Sequence, residues 1–453
     1  MLERLKRILK EYSGILINVI ASFAVKGGSL VVTTLTTPAY IHYFNDNVVL
    51  GVWYTILSVL QAILTLDIGI GNGLRNKLTV ALTNKDEEEA SKLISSAYAV
   101  ILVFVCILAL AAVFVFDHLP WNTMLGVEAE LVSGRVLAQS MKIVFCGVML
   151  QLALKLINSV LYAMQKSALN NFLQLLSSVL ILLYVGFAPS RGQEQNLLTM
   201  AAFNVLAVNL PLLCATVAVF CGKLKKSRPR IPAIRLDHAK TVMGSGLKFF
   251  YLQIAFMFIS LLNEQLISNL CGPEYAVNYQ VYQKVFGLVT GMLSLALLPI
   301  WSSVTKAQAE KNYPWIIRLY NILCVIAVGI GALSLLIVPL MKPIVTLWIG
   351  KDVIQVTTQA ALIFCISNML FLWHNVNVTV ANGLTFLKPQ FVFLTIGAVM
   401  KIPVAYLCHY FMGDWTAVVL ANVIVLIPLT VAQPIMLRKY LKEEKRKQEG
   451  QTL

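Results

Sequence analysis

Lysines inside long apolar runs are the residues of this sequence whose chemistry most needs an explanation. Lys26 and Lys155 lie in the first half of the chain, and Lys284 and Lys401 lie in the second. An ammonium group at the centre of a membrane span costs about 2.5–3.5 kcal/mol on insertion scales, so it needs a wet cavity or a partner. We therefore predict that these four side chains line a cationic lumen, which would suit a diphosphate. The competing interpretation is that they pair with buried carboxylates and only stabilise the protein.

Two carboxylates, Asp67 and Glu264, lie within the apolar runs. We expect Glu264 to be buried on a polar helical face, and we assign it to ion coupling with H+ or Na+ as the coupling ion. Asp67 comes shortly before Arg75. We assign Asp67 to an inner gate or to a structural pair with Arg75.

Amide and aromatic side chains recur at helical spacing beside these charges. Amides hydrogen-bond sugar hydroxyls, and aromatic rings suit the faces of sugar rings. Hydrogen bonds between helices would explain the same residues nearly as well. The candidates for sugar contact are Gln151, Asn158, Tyr162, Gln253, Tyr279, Gln280, Gln283 and Asn375.

The composition excludes a soluble globular protein. Of 453 residues, 58% are hydrophobic and 13% charged, whereas soluble domains carry about 25% charged residues. The apolar runs are also too long for the strands of an outer-membrane barrel, which need about 9–11 residues. We predict an all-α polytopic membrane protein with about 12 transmembrane helices in two six-helix bundles, and no soluble domain. The runs lie near 14–43, 48–71, 94–116, 138–163, 170–188, 197–221, 246–270, 278–303, 316–340, 355–381, 387–411 and 416–437.

Basic residues predict the orientation of these runs. Lys and Arg cluster at both ends of the chain and in the segment between the two halves, and basic loops stay on the cytoplasmic side. We therefore place both termini in the cytoplasm and divide the chain into an N-terminal bundle at 1–221, a basic cytoplasmic linker at 222–244, and a C-terminal bundle with a basic tail at 245–453. Paired bundles of this kind commonly hold their substrate between the halves.

Two stretches carry a resemblance to a known family. The run LDIGIGNGLRNKL, followed by NKDEEEASKLISSAY, resembles the second helix and following loop of Wzx-type O-antigen and polysaccharide flippases. These belong to the MATE-like multidrug/oligosaccharidyl-lipid/polysaccharide exporter superfamily. The stretch from Phe249 to Gly287, and LLPIWSSVTKA after it, are similar to the corresponding part of the second half.

The resemblance implies a transporter and not an enzyme. Its substrate would be an undecaprenyl-diphosphate-linked oligosaccharide, an O-antigen or related repeat unit, which alternating access moves from the inner to the outer leaflet of the bacterial inner membrane. An ion gradient would drive the movement. The implied partners are membrane lipid and polysaccharide polymerase or chain-length proteins, and no cofactor is implied.

Other functions remain as alternatives at this point. A drug or cation antiporter of the same fold would favour acidic and aromatic lumen residues, and the lysine excess argues against it. A membrane polysaccharide polymerase or ligase would need an outer loop with clustered acid, base and His residues, and the loops are short. The formal charge of +15 lies mostly in loops and chain ends, so it indicates topology and not nucleic-acid binding. No P-loop is present, which excludes ATP as the direct energy source.

Overall fold

The computed structural model describes residues 13–65, 69–125, 128–272, 274–349 and 354–450. Regular structure in these ranges is helical throughout, and the chain forms two compact units, Met1–Phe250 and Tyr251–Leu453. Ten helices of the described ranges are long and apolar enough to cross a membrane, and two shorter apolar segments accompany them. The predicted fold class, an all-α polytopic membrane protein, is confirmed.

The helices of the first unit follow the predicted runs, with additional breaks. The predicted second run, 48–71, is helical to Thr65, residues 66–68 lie outside the described ranges, and a separate short helix begins at Ile70 after Gly69. Helix α10 begins in the first unit and continues into the second. The helices are α1 Ser13–Phe44, α2 Asn47–Thr65, α3 Ile70–Thr83, α4 Glu87–Val115, α5 Trp121–Leu125, α6 Gly134–Leu154, α7 Leu156–Ala163, α8 Ser167–Phe187, α9 Gln193–Cys221 and α10 Leu236–Leu270.

The second unit is built from the rest of α10 and six further helices. The predicted run at 316–340 divides, because backbone bonds from Leu335 to Ala332 and from Leu336 to Leu333 tighten the chain between two helices. The helices are α11 Glu274–Ala309, α12 Tyr313–Ser334, α13 Ile337–Ile349, α14 Thr358–Gly383, α15 Lys388–Met412 and α16 Thr416–Gly450.

Glycines allow α3 and the first part of α10 to approach closely within the first unit. Gly69 precedes α3 with a φ of 72°, a conformation that glycine adopts without strain. A Cβ atom on Gly69 would lie 2.2 Å from the carbonyl oxygen of Gly246, and one on Gly73 would lie 2.7 Å from that of Val242. A larger residue at either position would force the two backbones apart. The repeated glycines of this stretch therefore shape a helix crossing.

The basic segment between the two halves is packed against α4. Ser227 is buried and its hydroxyl donates to the carbonyl oxygen of Glu87 at 3.0 Å. Further along, the amides of Arg230 and Arg235 donate to the hydroxyls of Ser95 and Ser96 at 2.9 and 3.0 Å. The part of the predicted linker from Ser227 to Arg235 is thus a strap fixed to the first unit.

An aromatic cluster forms much of the core of the second unit. Phe364 lies at its centre, with ring centroids 5.1 Å from Tyr282, 5.9 Å from Trp415, 5.8 Å from Tyr279 and 6.2 Å from Phe286. All five side chains are buried. Because they come from α11, α14 and the residue immediately before α16, their contacts set the spacing of these three elements.

The orientation of the chain can be tested with single cysteines in a variant that lacks the native ones. We expect Lys225→Cys to resist an impermeant thiol reagent in whole cells and to react after permeabilisation, because basic loops remain cytoplasmic. Arg135→Cys should react in whole cells. Both positions are exposed, whereas the neighbouring Ser227 is buried and would be protected on either side. Labelling of Lys225→Cys in intact cells would reverse the assigned topology.

Candidate functional site

The second unit contains a polar cavity of about 580 Å³. Helices α10, α11, α14 and α16 line it with amides, hydroxyls and aromatic rings. Its size falls in the usual range of small-molecule sites, about 300–1,000 Å³. The cavity is therefore the best-formed candidate site in the described ranges of this unit.

One wall of the cavity is a single face of α10. Phe256, Ser260 and Asn263 follow one another at spacings of four and three, so their side chains point the same way. Asn263 is 3% exposed and donates through Nδ2 to the Tyr279 hydroxyl at 3.0 Å. Its Oδ1 atom and the hydroxyl of Ser260 have no hydrogen-bond partner among the described residues. A buried polar atom without a partner is costly, so both atoms are ready to bind a ligand or water.

The opposite wall is fixed by hydrogen bonds between helices. Thr290 donates its hydroxyl hydrogen to Oδ1 of Asn368, whose Nδ2 donates to the Ser334 hydroxyl at 3.1 Å. Nearby, Asn375 donates to Ser294 at 3.3 Å. These bonds join α11, α12 and α14, so this wall is preorganised.

Aromatic rings supply the apolar part of the lining. The Phe256 ring stacks on the His374 ring with centroids 5.3 Å apart and 8° between planes. The Phe371 ring meets the Phe256 ring edge-on, with centroids 5.9 Å apart. Phe364, at the centre of the aromatic cluster, also lines the cavity. The cavity thus combines ring surfaces with hydrogen-bonding groups.

Charge is scarce in this cavity. Glu264 is the single ionisable carboxylate among the lining residues that the structure describes, and it accepts a hydrogen bond from Nε2 of Gln280. Our expectation that Glu264 is buried is wrong. It is exposed although it lines the cavity, because the cavity is open to solvent at this position.

The two predicted lysines of the second unit, Lys284 and Lys401, are not among the described residues that line the cavity. Lys401 is fully buried behind it and donates to the Val418 carbonyl oxygen at 2.9 Å and to Oδ1 of Asn422, which does face the cavity. Lys284 is exposed, with its ammonium 5.9 Å from the centroid of the Trp348 ring. Lys401 was expected to meet the ligand directly; its position behind Asn422 contradicts this, because α15 lies outside the cavity wall.

In the first unit, the predicted cations are held separately. Lys155 lies at the break between α6 and α7 and donates to the Leu64 carbonyl oxygen at 3.2 Å. Arg75 is buried, with its guanidinium carbon 4.5 Å from the centroid of the Tyr162 ring. Lys26 is an exposed residue of α1. Asp67, the proposed partner of Arg75, lies outside the described residues.

The candidates for sugar contact divide between several places. Tyr279, Gln283 and Asn375 line the cavity of the second unit. Gln280 does not line it but donates a hydrogen bond to Glu264, which does. Gln151 instead lines a mostly apolar cavity of about 210 Å³ in the first unit. The remaining candidates, which line neither of these two cavities, are Asn158, Tyr162 and Gln253.

Sequence reasoning missed several lining residues, above all Asn263, Phe256 and Phe364. The signal for the first two was present in their four-and-three spacing with Ser260, but only the polar residues Gln253 and Glu264 of α10 were singled out. Phe364, Asn368, Phe371 and Asn375 likewise share one face of α14.

Comparison with solved structures identifies the fold. The Vibrio cholerae MATE transporter VcmN in its bent form superposes with a TM-score of 0.74, covering 95% of this chain and 99% of that one at 14% identity. The chain has the MATE fold. A MATE protein in complex with MaD3S gives a TM-score of 0.76 at 14% identity, covering 95% and 96%. A MOP superfamily transporter from Pyrococcus furiosus gives a TM-score of 0.74 at 14% identity, covering 95% of this chain and 96% of that one. That transporter is described as having a binding pocket of reverse polarity, which suggests a different function. No protein-family model and no curated protein sequence matches the chain.

Proposed function

We propose that this MATE-fold protein is a flippase for an undecaprenyl-diphosphate-linked oligosaccharide. It moves an O-antigen or related repeat unit from the cytoplasmic to the outer leaflet of the bacterial inner membrane by alternating access. The observation that carries the proposal is the lining of the cavity in the second unit, where neutral amides and hydroxyls alternate with aromatic rings.

This lining matches the chemistry of a sugar. A sugar ring presents hydroxyls around its rim and C–H groups on its faces, so it needs both hydrogen-bonding groups and flat apolar surfaces. Ser260 and Asn263 offer the first, and Phe256 and Phe371 offer the second. The interhelical bonds of Asn368 and Asn375 keep their amides fixed, which reduces the entropy lost when a ligand binds.

The same lining argues against a cationic drug as the substrate. A cation in a membrane cavity needs a carboxylate partner, and this proposal assigns Glu264, the single carboxylate among the described lining residues, to the coupling ion. The Pyrococcus furiosus transporter, for which a binding pocket of reverse polarity is reported, indicates that pocket polarity varies on this fold. A drug or cation antiporter is therefore the second candidate.

Roles for the ionisable groups follow as part of the proposal. Lys155 of the first unit binds the diphosphate through its remaining ammonium hydrogens. Lys26 and Lys284 are proposed to add positive charge, each within its own unit. Lys401 acts indirectly, because its hydrogen bond fixes the amide of Asn422 so that Nδ2 can donate toward the cavity. Glu264 couples transport to H+ or Na+.

Removing one free hydroxyl from the cavity tests sugar recognition with little structural disturbance. Ser260→Ala should lower export about 2- to 10-fold, the effect of losing one hydrogen bond to the ligand, without lowering the abundance of the protein. Asn263→Leu should reduce export further, but it also leaves the Tyr279 hydroxyl without a partner. Export is measured as surface glycan per molecule of protein in the membrane.

Ser268→Ala is the matched control, because Ser268 lies on the same helix and does not line the cavity. It should leave export unchanged. If Ser260→Ala and Ser268→Ala lowered export equally, the cavity would not be the site that binds the sugar.

The function itself is tested by deleting the protein from its host. We expect undecaprenyl-linked repeat units to collect in the inner leaflet, and susceptibility to cationic drugs to stay unchanged. Increased drug susceptibility without lipid-linked intermediates would instead support the antiporter.

A further inference from the structure

A second cavity, of about 530 Å³, lies in the first unit where α3, α4 and α9 have their ends. Its lining is strongly basic, with Lys85 from the turn after α3 and Lys223, Lys225 and Lys226 from the turn after α9. Two separate turns thus bring four ammonium groups to one place. This basic cavity has no part in the proposed transport route through the second unit.

The turns that carry these lysines are ordered. Lys85 has a φ of 58° and its amide donates to the Leu82 carbonyl oxygen, which closes the C-terminal turn of α3. On the other side, the amide of Lys225 donates to the Gly222 carbonyl oxygen, and the bond from Ser227 to Glu87 attaches the turn to α4. The basic cavity is therefore a built feature and not a chance position of a loose loop.

Carboxylates neutralise only part of this charge. Glu87 pairs with Lys226 at 3.2 Å, and Oδ1 of Asp86 accepts from the amide of Glu89 to cap α4. Among the described residues, no carboxylate lies within ion-pair distance of Lys85, Lys223 or Lys225. An excess of positive charge remains in the cavity.

A fifth lysine strengthens this excess from outside the lining. Lys166, in the turn between α7 and α8, lies against Lys223. Burial and the neighbouring Lys223 ammonium lower the pKa of Lys166. Two ammonium groups held so close favour an anion that binds between or beside them.

The position of the basic cavity indicates which anion it meets. Helices α4 and α9 are membrane spans, and the cavity lies at the ends of both. Leu82 and Leu224 line it beside the lysines. Basic pockets at the ends of transmembrane helices bind lipid headgroups, whose phosphate meets the lysines while the glycerol and acyl carbons meet apolar side chains.

We propose that this cavity binds the phosphate of an anionic phospholipid headgroup. The site is distinct from the glycan cavity, and the proposal does not depend on the flippase assignment. Lys223 and Lys225 carry most of the binding, since neither has a carboxylate partner in the described part of the chain.

The test uses the purified full-length protein in detergent, with binding measured by native mass spectrometry. Phosphatidylglycerol, phosphatidylcholine and inorganic phosphate are titrated separately. We expect phosphatidylglycerol to bind more tightly than phosphatidylcholine, and the double variant Lys223→Gln/Lys225→Gln to lose about 30-fold in affinity for phosphatidylglycerol, which is about 2 kcal/mol.

The double variant Lys388→Gln/Lys442→Gln is the control, because it removes the same charge from two exposed lysines outside the cavity. It should bind phosphatidylglycerol like the unaltered protein. Equal losses in the two double variants, or no loss in either, would overturn the proposal and indicate diffuse attraction. Inorganic phosphate that binds through Lys223 and Lys225 as tightly as the lipid would retain the phosphate site and assign it to a soluble ligand.

Discussion

Lys155→Ala should stop export of the lipid-linked oligosaccharide while the protein stays inserted and abundant. The Lys155 ammonium uses one of its three hydrogens on the Leu64 carbonyl oxygen, which leaves two for a phosphate oxygen. Truncating one member of a desolvated charged pair costs about 2–5 kcal/mol, so we expect a loss of about 30-fold or more. Export per molecule is measured by surface glycan against membrane protein.

Two further variants make this result specific. Lys155→Arg should keep part of the activity, because the charge survives although the shape of the donor changes. Lys388→Ala, at an exposed lysine, should leave export unaltered. If Lys155→Ala instead lowers thermal stability and leaves transport per molecule intact, Lys155 is structural and the competing interpretation holds.

Phe364→Ala should have the largest effect on stability. The substitution empties the centre of the aromatic cluster. Phe364 contacts rings on α11 and the ring of Trp415 just before α16, and it forms part of the cavity wall. Deleting a buried phenylalanine ring in a packed core costs about 3–5 kcal/mol. We therefore expect a marked fall in the midpoint of thermal unfolding in detergent and in membrane abundance.

The matched control for this prediction is Phe411→Ala. Phe411 lies on α15 with 76% of its side chain exposed, so its removal leaves no internal void. It should change the unfolding temperature little. Similar losses for both variants would show that the aromatic cluster does not dominate the packing of this unit.

The sequence was sufficient to predict the helices, because long apolar runs are a strong signal in a membrane protein. It did not predict the positions at which the helices are interrupted. The start of α3 after Gly69 and the step at Lys155 depend on local backbone geometry, such as the positive φ of Gly69, that hydropathy does not report. The contact of Gly73 with α10 is likewise a tertiary feature that hydropathy does not report.

The candidate site was predictable in type but not in register. Polar residues on α10 pointed to a functional face, and Glu264 does line the cavity, but its neighbour Asn263 was not predicted. The choice depended on giving weight to charge, whereas the folded protein turns the neutral amide inward and leaves the carboxylate exposed. Lys401 shows the same limit, because its partner Asn422 comes from another helix and no spacing within α15 reveals it.

Transport in reconstituted vesicles tests the central claim most directly. The purified protein is placed in proteoliposomes that carry a labelled undecaprenyl-diphosphate-linked oligosaccharide, and movement between leaflets is followed by the access of an external glycosidase to the glycan. We predict that the unaltered protein and Ser268→Ala move the lipid, that Ser260→Ala moves it more slowly, and that Lys155→Ala does not move it. Failure of the unaltered protein to move the lipid, together with uptake of a cationic drug by the same vesicles, would contradict the account.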